Sequence, residues 1–167
     1  MSNTTWPTVR PLAIREVWLW ILPVALLFLL SACATGPEQR EGVPAASGPS
    51  AAADVALSLV GVPYRYGGAS PRGMDCSGLV QYSYRQVGIR VPRTVADQRR
   101  HSFPVSMDRL QAGDLLFFRL GGRVSHVGIY LGRRRFVHAP STGKRVSVTT
   151  LDNIYWRRRL VGAGRFY

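Results

Sequence analysis

The sequence predicts an α+β fold, and three observations carry that prediction. Helix signals are confined to the first part of the 167-residue chain. Beyond Gly113 the pattern changes to short apolar segments that alternate and are punctuated by Gly and turn formers, as antiparallel strands require. The best-marked helix start, Asp75-Cys76-Ser77-Gly78-Leu79, places an Asp where it can cap the helix and a Cys at the first turn. Helices first and strands after describe N-terminal helices, with the Cys-bearing one packed on a small antiparallel sheet.

Taken in order, the chain opens with Arg10 and Arg15 ahead of an apolar run, Trp18 to Leu30, that contains one Pro. The run is short of the roughly 20 residues that span a bilayer and suits the core of a signal peptide. It ends in Leu30-Ser31-Ala32-Cys33, which resembles the lipobox of bacterial lipoproteins, with Cys33 as the lipidated first residue of the mature chain. Ala34 to Ala53 is dominated by Ala, Gly, Pro and Ser, the composition of a flexible tether reaching about 25 Å. The expected organisation is a signal peptide over 1–32, a lipidated tether over 33–53 and one catalytic domain over 54–167. By resemblance to the sorting rule of Gram-negative lipoproteins, Ala34 implies the outer membrane, with the domain in the periplasm.

Within the domain, Ala51 to Val60 reads as a short helix stopped by Gly61 and Pro63. Tyr64 to Gly73 reads as a Gly-rich loop. Asp75 then opens a helix running to about Val87 and ended by Gly88. A weaker helix covers Thr94 to Arg100. Strands are expected at Asp114–Phe118, His126–Leu131, Arg134–Ala139, Val146–Leu151 and Leu160–Tyr167.

There are two cysteines. If Cys33 carries lipid, Cys76 is a free thiol in an oxidising compartment, and chemistry is the reason to keep one there. A helix N-terminus favours thiolate over thiol. His126 and His138 stand twelve residues apart about Gly132. A hairpin turning at Leu131-Gly132-Arg133 would set Tyr130 against Arg134 and His126 against His138, on one face of the sheet with Cβ atoms about 4.5–5.5 Å apart. Cys76 as nucleophile, His126 as its base and His138 as the group orienting that base then form a constellation, with the thiol and base resting as a thiolate–imidazolium pair. A Cys-His-His zinc site is the rival chemistry, but it lacks an obvious fourth ligand beyond Asp75. No cofactor is called for. His101 reads as surface.

Formal net charge is +13, and Lys144 is the only lysine among 22 basic residues. Arg133-Arg134-Arg135 and Arg157-Arg158-Arg159 are the densest clusters. An exported lipoprotein rarely meets nucleic acid, so anionic headgroups or wall-peptide carboxylates are the better partners. A solvated Arg-rich surface is an equal reading.

Six segments in order resemble the NlpC/P60 cell-wall cysteine peptidases. They are Tyr64-Arg65-Tyr66-Gly67-Gly68, Asp75-Cys76-Ser77-Gly78-Leu79, Pro92-Arg93-Thr94, Ala112-Gly113-Asp114-Leu115, His126-Val127-Gly128-Ile129-Tyr130 and His138-Ala139-Pro140. The resemblance implies a papain-like fold and endopeptidase cleavage of peptidoglycan stem peptides, typically at D-γ-glutamyl–meso-diaminopimelate, through an acyl-enzyme. It matches Cys76 to the nucleophile, His126 to the base and His138 to the third polar residue, a position where relatives also carry Asn or Gln. Tyr64 matches a tyrosine that helps to bind the oxyanion, and Asp75 and Ser77 match positions lining the substrate cleft. Arg93 could meet a substrate carboxylate or form a structural ion pair, and is left outside the site. The expected protein is a monomer whose partners are stem peptides and, through Cys33, outer-membrane lipid. The competing functions are a cell-wall amidase or acyltransferase on the same fold, and a non-catalytic wall-binding lipoprotein.

Overall fold

The computed structural model describes residues 48–141 and 143–167. The apolar run, Cys33 and most of the expected tether lie outside the described residues. Among the described residues no helix is long and apolar enough to cross a membrane.

The architecture is α+β, as the pattern of elements requires. Helix α1 (Pro49–Ser58) leads to a two-stranded hairpin, β1 (Ala69–Ser70) and β2 (Gly73–Met74). Helices α2 (Cys76–Gln86) and α3 (Val95–His101) follow, then β3 (Phe103–Val105) and a single 3-10 turn at Met107–Arg109. The second half holds β4 (Leu115–Leu120), β5 (Arg123–Gly132), β6 (Arg135–His138), β7 (Ser147–Thr150), the four-residue helix α4 (Ile154–Arg157) and β8 (Leu160–Arg165). Strands β3 to β8 form one antiparallel sheet in the order β3-β8-β4-β5-β6-β7.

Both faces of that sheet are buried at its centre, which explains why β4 opens Leu-Leu-Phe-Phe before the exposed Arg119. Leu115 and Phe117 join Val127, Ile129 and Val137 against α1 and α2. Leu116 and Phe118 join Tyr130, Phe136 and Leu151 on the far face, under Trp156 of α4. A bidentate ion pair ties the two ends of the central strands together. Arg165 donates to both oxygens of the fully buried Asp114, at 2.6 and 2.8 Å. Tyr84 of α2 reinforces the same corner by donating to Gly113 O.

Three features differ from the sequence expectation, each for a physical reason. First, α1 begins at Pro49, inside the segment read as tether, and Ala51, Ala52, Ala53 and Ala56 are all buried. Small residues signal a linker by composition, yet they are also what allows two backbones to approach closely. Gly113 lies so near this helix that a Cβ there would stand 2.0 Å from Pro49 O.

Second, the hairpin register is not the symmetric one. Tyr130 pairs with Phe136 and Ile129 with Val137, while Gly132 pairs with Arg135. The turn is the pair Arg133-Arg134, with φ of 49° and 60°, as a two-residue hairpin loop demands. Continued without a break, that turn would put His138 opposite Ile129, on the face away from His126. The irregularity between Tyr130 and Gly132 absorbs one residue and restores the parity. Both imidazoles therefore share a face, as diagonal rather than directly opposed neighbours.

Third, the β1–β2 hairpin, β3 and α4 were not expected. The hairpin and β3 are two or three residues long, and α4 is a single turn, too short for periodicity to register.

Candidate active site

The site is built where α2 starts against β5. Asp75 caps α2, accepting from Gly78 N at 2.7 Å through Oδ1. Its other oxygen accepts from Gly67 N at 2.9 Å, which fastens the preceding loop to the cap. Arg93 closes the arrangement with two hydrogen bonds to the carboxylate, at 3.0 and 2.7 Å. It also donates to Ser77 Oγ at 2.9 Å and to Gly68 O at 3.3 Å. The guanidinium, with the Gly78 and Gly67 amides, outweighs burial and holds the Asp75 carboxyl below its ordinary range. Of the two readings of Arg93, the structure gives the ion pair. Asp75 and Ser77 do border the cleft, but their polar atoms are engaged in this frame.

Gly78 is where the frame leaves least room. A Cβ there would stand 2.0 Å from Gly68 O, and that carbonyl is held by Asp75 N at 3.1 Å as well as by Arg93. Gly78→Ala is expected to cost about 1–3 kcal/mol and to displace the first turn of α2. Denaturant unfolding would read the first effect and the alkylation rate of Cys76 the second.

Cys76 is half-buried at the first residue of α2. Strand β6 ends at His138, and the edge it leaves on β5 faces the thiol. Sγ donates to Ser125 O at 4.0 Å, and the Val127 N–H faces the sulfur. Burial pushes the thiol up, and the Asp75 charge adds to it. The Val127, Ser77 and Cys76 amides pull the other way without winning.

His126, between Ser125 and Val127, is buried with His138. Its Nε2 lies 2.9 Å from His138 Nδ1, with the rings perpendicular at 89°. This contact uses one nitrogen of His126 and leaves Nδ1 as the only one able to act as a base. The base-competent tautomer has Nε2–H donating to His138 Nδ1.

Trp156 covers the pair, stacked on His126 with centroids 5.2 Å apart and edge-on to His138 at 4.7 Å. Phe118 and Phe136 complete the apolar surround. Burial drives His126 down to about 3, with a smaller contribution from His138. Burial and then the Lys144 charge drive His138 down to about 4. Burial thus opposes charge on both the thiol and the imidazole, against the thiolate–imidazolium pair expected from the sequence. Desolvation outweighs the dipole here.

These pKa values make stability depend on pH. In the unfolded chain each imidazole titrates near 6.5. Between pH 6.5 and about 4 for His138, and down to about 3 for His126, the unfolded chain takes up protons that the fold refuses, so stability rises with pH across that window and is fully present above it. Tm is expected to fall steadily from pH 7 to pH 4.5, and less steeply in His138→Gln. An equal slope in that variant would contradict the assignment.

An open cleft of about 580 Å³ lies over the thiol, bordered by Tyr64, Gly67, Cys76, Arg93, Arg123 and Ser125 among others. The Tyr64 phenol is raised by its burial and then by the charges of Cys76 and Asp75, which places it in the field of the thiol. Among the described residues no group of three or more His, Cys, Asp or Glu is arranged to hold a metal ion. Trp156 was missed by the sequence reading. It stands in the Ile154-Tyr155-Trp156-Arg157 turn, far in sequence from the histidines it covers.

A free cysteine at the N-terminus of a helix, set against a histidine-bearing antiparallel sheet, is the layout of the papain-like cysteine peptidases. The chain belongs to the NlpC/P60 family, whose sequence profile matches residues 61–165. Over 115 residues it is 46% identical to the murein DD-endopeptidase MepH of Escherichia coli K12, a match covering 65% of this chain but only 42% of MepH. It is 35% identical over 177 residues to the murein DD-endopeptidase MepS/murein LD-carboxypeptidase of the same organism, covering 91% of this chain and 94% of that one. The crystal structure of an NLP/P60 family protein described as similar to lipoprotein, from Staphylococcus aureus Mu50, superposes with a TM-score of 0.63 at 43% identity. That superposition covers 70% of this chain and 40% of the other.

Proposed function

We propose that the chain is a peptidoglycan endopeptidase working by acyl transfer at Cys76. The observation that carries this is the thiol at the floor of an open cleft, held against the Ser125–Val127 edge beside a buried His126–His138 pair. Family membership supplies the substrate class. His126 Nδ1 takes the thiol proton as sulfur attacks the scissile carbonyl, and His138 holds the ring in the tautomer that makes this possible. The oxyanion forms beside the Cys76 N–H and within reach of the Tyr64 hydroxyl. His126 then protonates the leaving amine, and water releases the acyl-enzyme.

The family resemblance puts the bond at D-γ-glutamyl–meso-diaminopimelate. The names of MepH and MepS favour a bond between two D-configured centres instead, the cross-link position. One digestion decides. Purified muropeptides, single-stem and cross-linked, are incubated with the detergent-solubilised full-length chain, and products are identified by mass. Halved cross-links mean the D,D bond, and fragments split after D-glutamate mean the other. Release of intact stems from the sugar would move the reading to an amidase, and transfer of a fatty acyl group to an acyltransferase.

The N-terminal reading belongs to the same proposal. Cys33 carries lipid, residues 1–32 are removed, and the domain is tethered to the outer membrane facing the periplasm, as a monomer. Cys33→Ser is expected to leave an unprocessed precursor, visible as a larger, lipid-free band. Normal maturation of that variant would refute the anchor.

A further inference from the structure

The cleft over Cys76 does not end at its rim. It shares Ala96 and Val124 with a second depression of about 340 Å³, where Arg99 and Arg100 form the wall. Arg99 in turn borders a third, largely apolar recess of about 260 Å³, lined by Phe117, Val161 and Ala163. The concavity therefore runs from the thiol along α3 and the start of β5 well past the space a single scissile bond needs.

Its charge is one-sided. Asp75, in the cleft wall, is neutralised by Arg93. Asp97, on α3, is engaged by Arg100 at 2.5 Å and by Thr94. The guanidinium groups of Arg99 and Arg123 have no hydrogen-bond or ion-pair partner among the described residues. They stand on α3 and β5, on either side of the boundary formed by Ala96 and Val124. Two unneutralised cations bordering adjoining depressions, Arg123 on the cleft over Cys76 and Arg99 on the next, call for an anion, and guanidinium geometry suits a carboxylate.

We propose that Arg99 and Arg123 form a carboxylate subsite, holding a free carboxylate of the stem peptide at a distance from the bond being cut. This rests on the endopeptidase reading for its substrate and adds to it a recognition element outside the catalytic residues. Stem peptides suit such a site because they carry carboxylates on their side branches and at their end. The apolar recess beyond Arg99 then takes the aliphatic carbons next to the charge. The subsite acts in binding, so it changes KM and leaves kcat unaltered.

The test compares one muropeptide in two forms, with its free carboxylates intact or converted to carboxamides. Binding is read calorimetrically with full-length Cys76→Ala in detergent, and turnover with the wild type. Amidation is expected to weaken binding about tenfold, the effect of losing two exposed charge contacts. In the Arg99→Gln/Arg123→Gln background the two forms should bind alike, both weakly, with kcat within twofold of wild type. Arg157→Gln/Arg158→Gln removes the same charge from the C-terminal end of α4 and its cap and should keep the preference. A preference for the free carboxylate that survives in Arg99→Gln/Arg123→Gln overturns the subsite, as does its loss in Arg157→Gln/Arg158→Gln. Cleavage by the wild type without any discrimination overturns the subsite alone. Carboxylate-dependent binding without cleavage of any muropeptide leaves the subsite standing and removes the endopeptidase reading.

Discussion

Cys76→Ser is expected to lower kcat/KM on a stem-peptide substrate by about 10⁴-fold or more, with the fold intact. The reason lies in the proton. A hydroxyl is a far weaker acid than a thiol, and the base offered to it is an imidazole that burial holds at about 3. Burial already opposes ionisation of the thiol, and an alcohol in its place, several orders of magnitude less acidic, leaves the same imidazole a proton it removes far less readily. The exchange of sulfur for oxygen is nearly isosteric at a half-buried position, so Tm should move by no more than a few degrees. Single-turnover kinetics beside a melting curve would check both halves. Activity within tenfold of wild type would sink the nucleophile assignment.

The second large effect concerns the histidines. In the proposed mechanism His126→Ala removes the base, and it is expected to cost about 10³–10⁴-fold in kcat, somewhat less than loss of the proposed nucleophile. It also leaves a void under Trp156, so it should cost stability as well, and His126→Gln, which fills the space, separates the two. His138→Ala should cost less, about 10–10²-fold, because His138 only fixes the His126 tautomer through the 2.9 Å contact. His138→Asn restores an acceptor and is expected to recover most of that loss. The rate of Cys76 alkylation at neutral pH, read alongside kcat, tells a lost base from a lost fold. Equal losses in His138→Ala and His138→Asn would show that His138 does more than accept one hydrogen bond.

How much of this was legible in the sequence depends on the range over which each feature is determined. The Asp75 cap and the Cys76 helix start were readable because capping is settled within four residues. The shared face of His126 and His138 was readable as an outcome, although it holds only because the irregularity at Leu131 offsets the Arg133-Arg134 turn by one residue. The register itself was not, because the irregularity at Leu131 depends on how Arg133 and Arg134 make the turn. Arg93 was left undecided between substrate and structure, and only the fold shows that Asp75 occupies it. Trp156 was silent for the same reason, as its partners lie on β4, β5 and β6. The helix read from Ala51 is present, but its start at Pro49 lies inside the segment read as tether, because tethers and close-packed helices use the same small residues. The opposition of burial to charge at the thiol and the imidazole was not legible either. Helix-terminus reasoning counts the dipole, whereas the burial that outweighs it comes from the whole fold.

The most direct test of the account is to trap the acyl-enzyme. The full-length chain would be mixed with a muropeptide, quenched in acid within its first turnover, digested, and mapped by mass. The account predicts a thioester adduct on the peptide containing Cys76, with the mass of the acyl-side fragment of the stem, and none in Cys76→Ala. Product release with no adduct at any quench time, or with activity persisting in Cys76→Ala, would contradict covalent catalysis at this thiol.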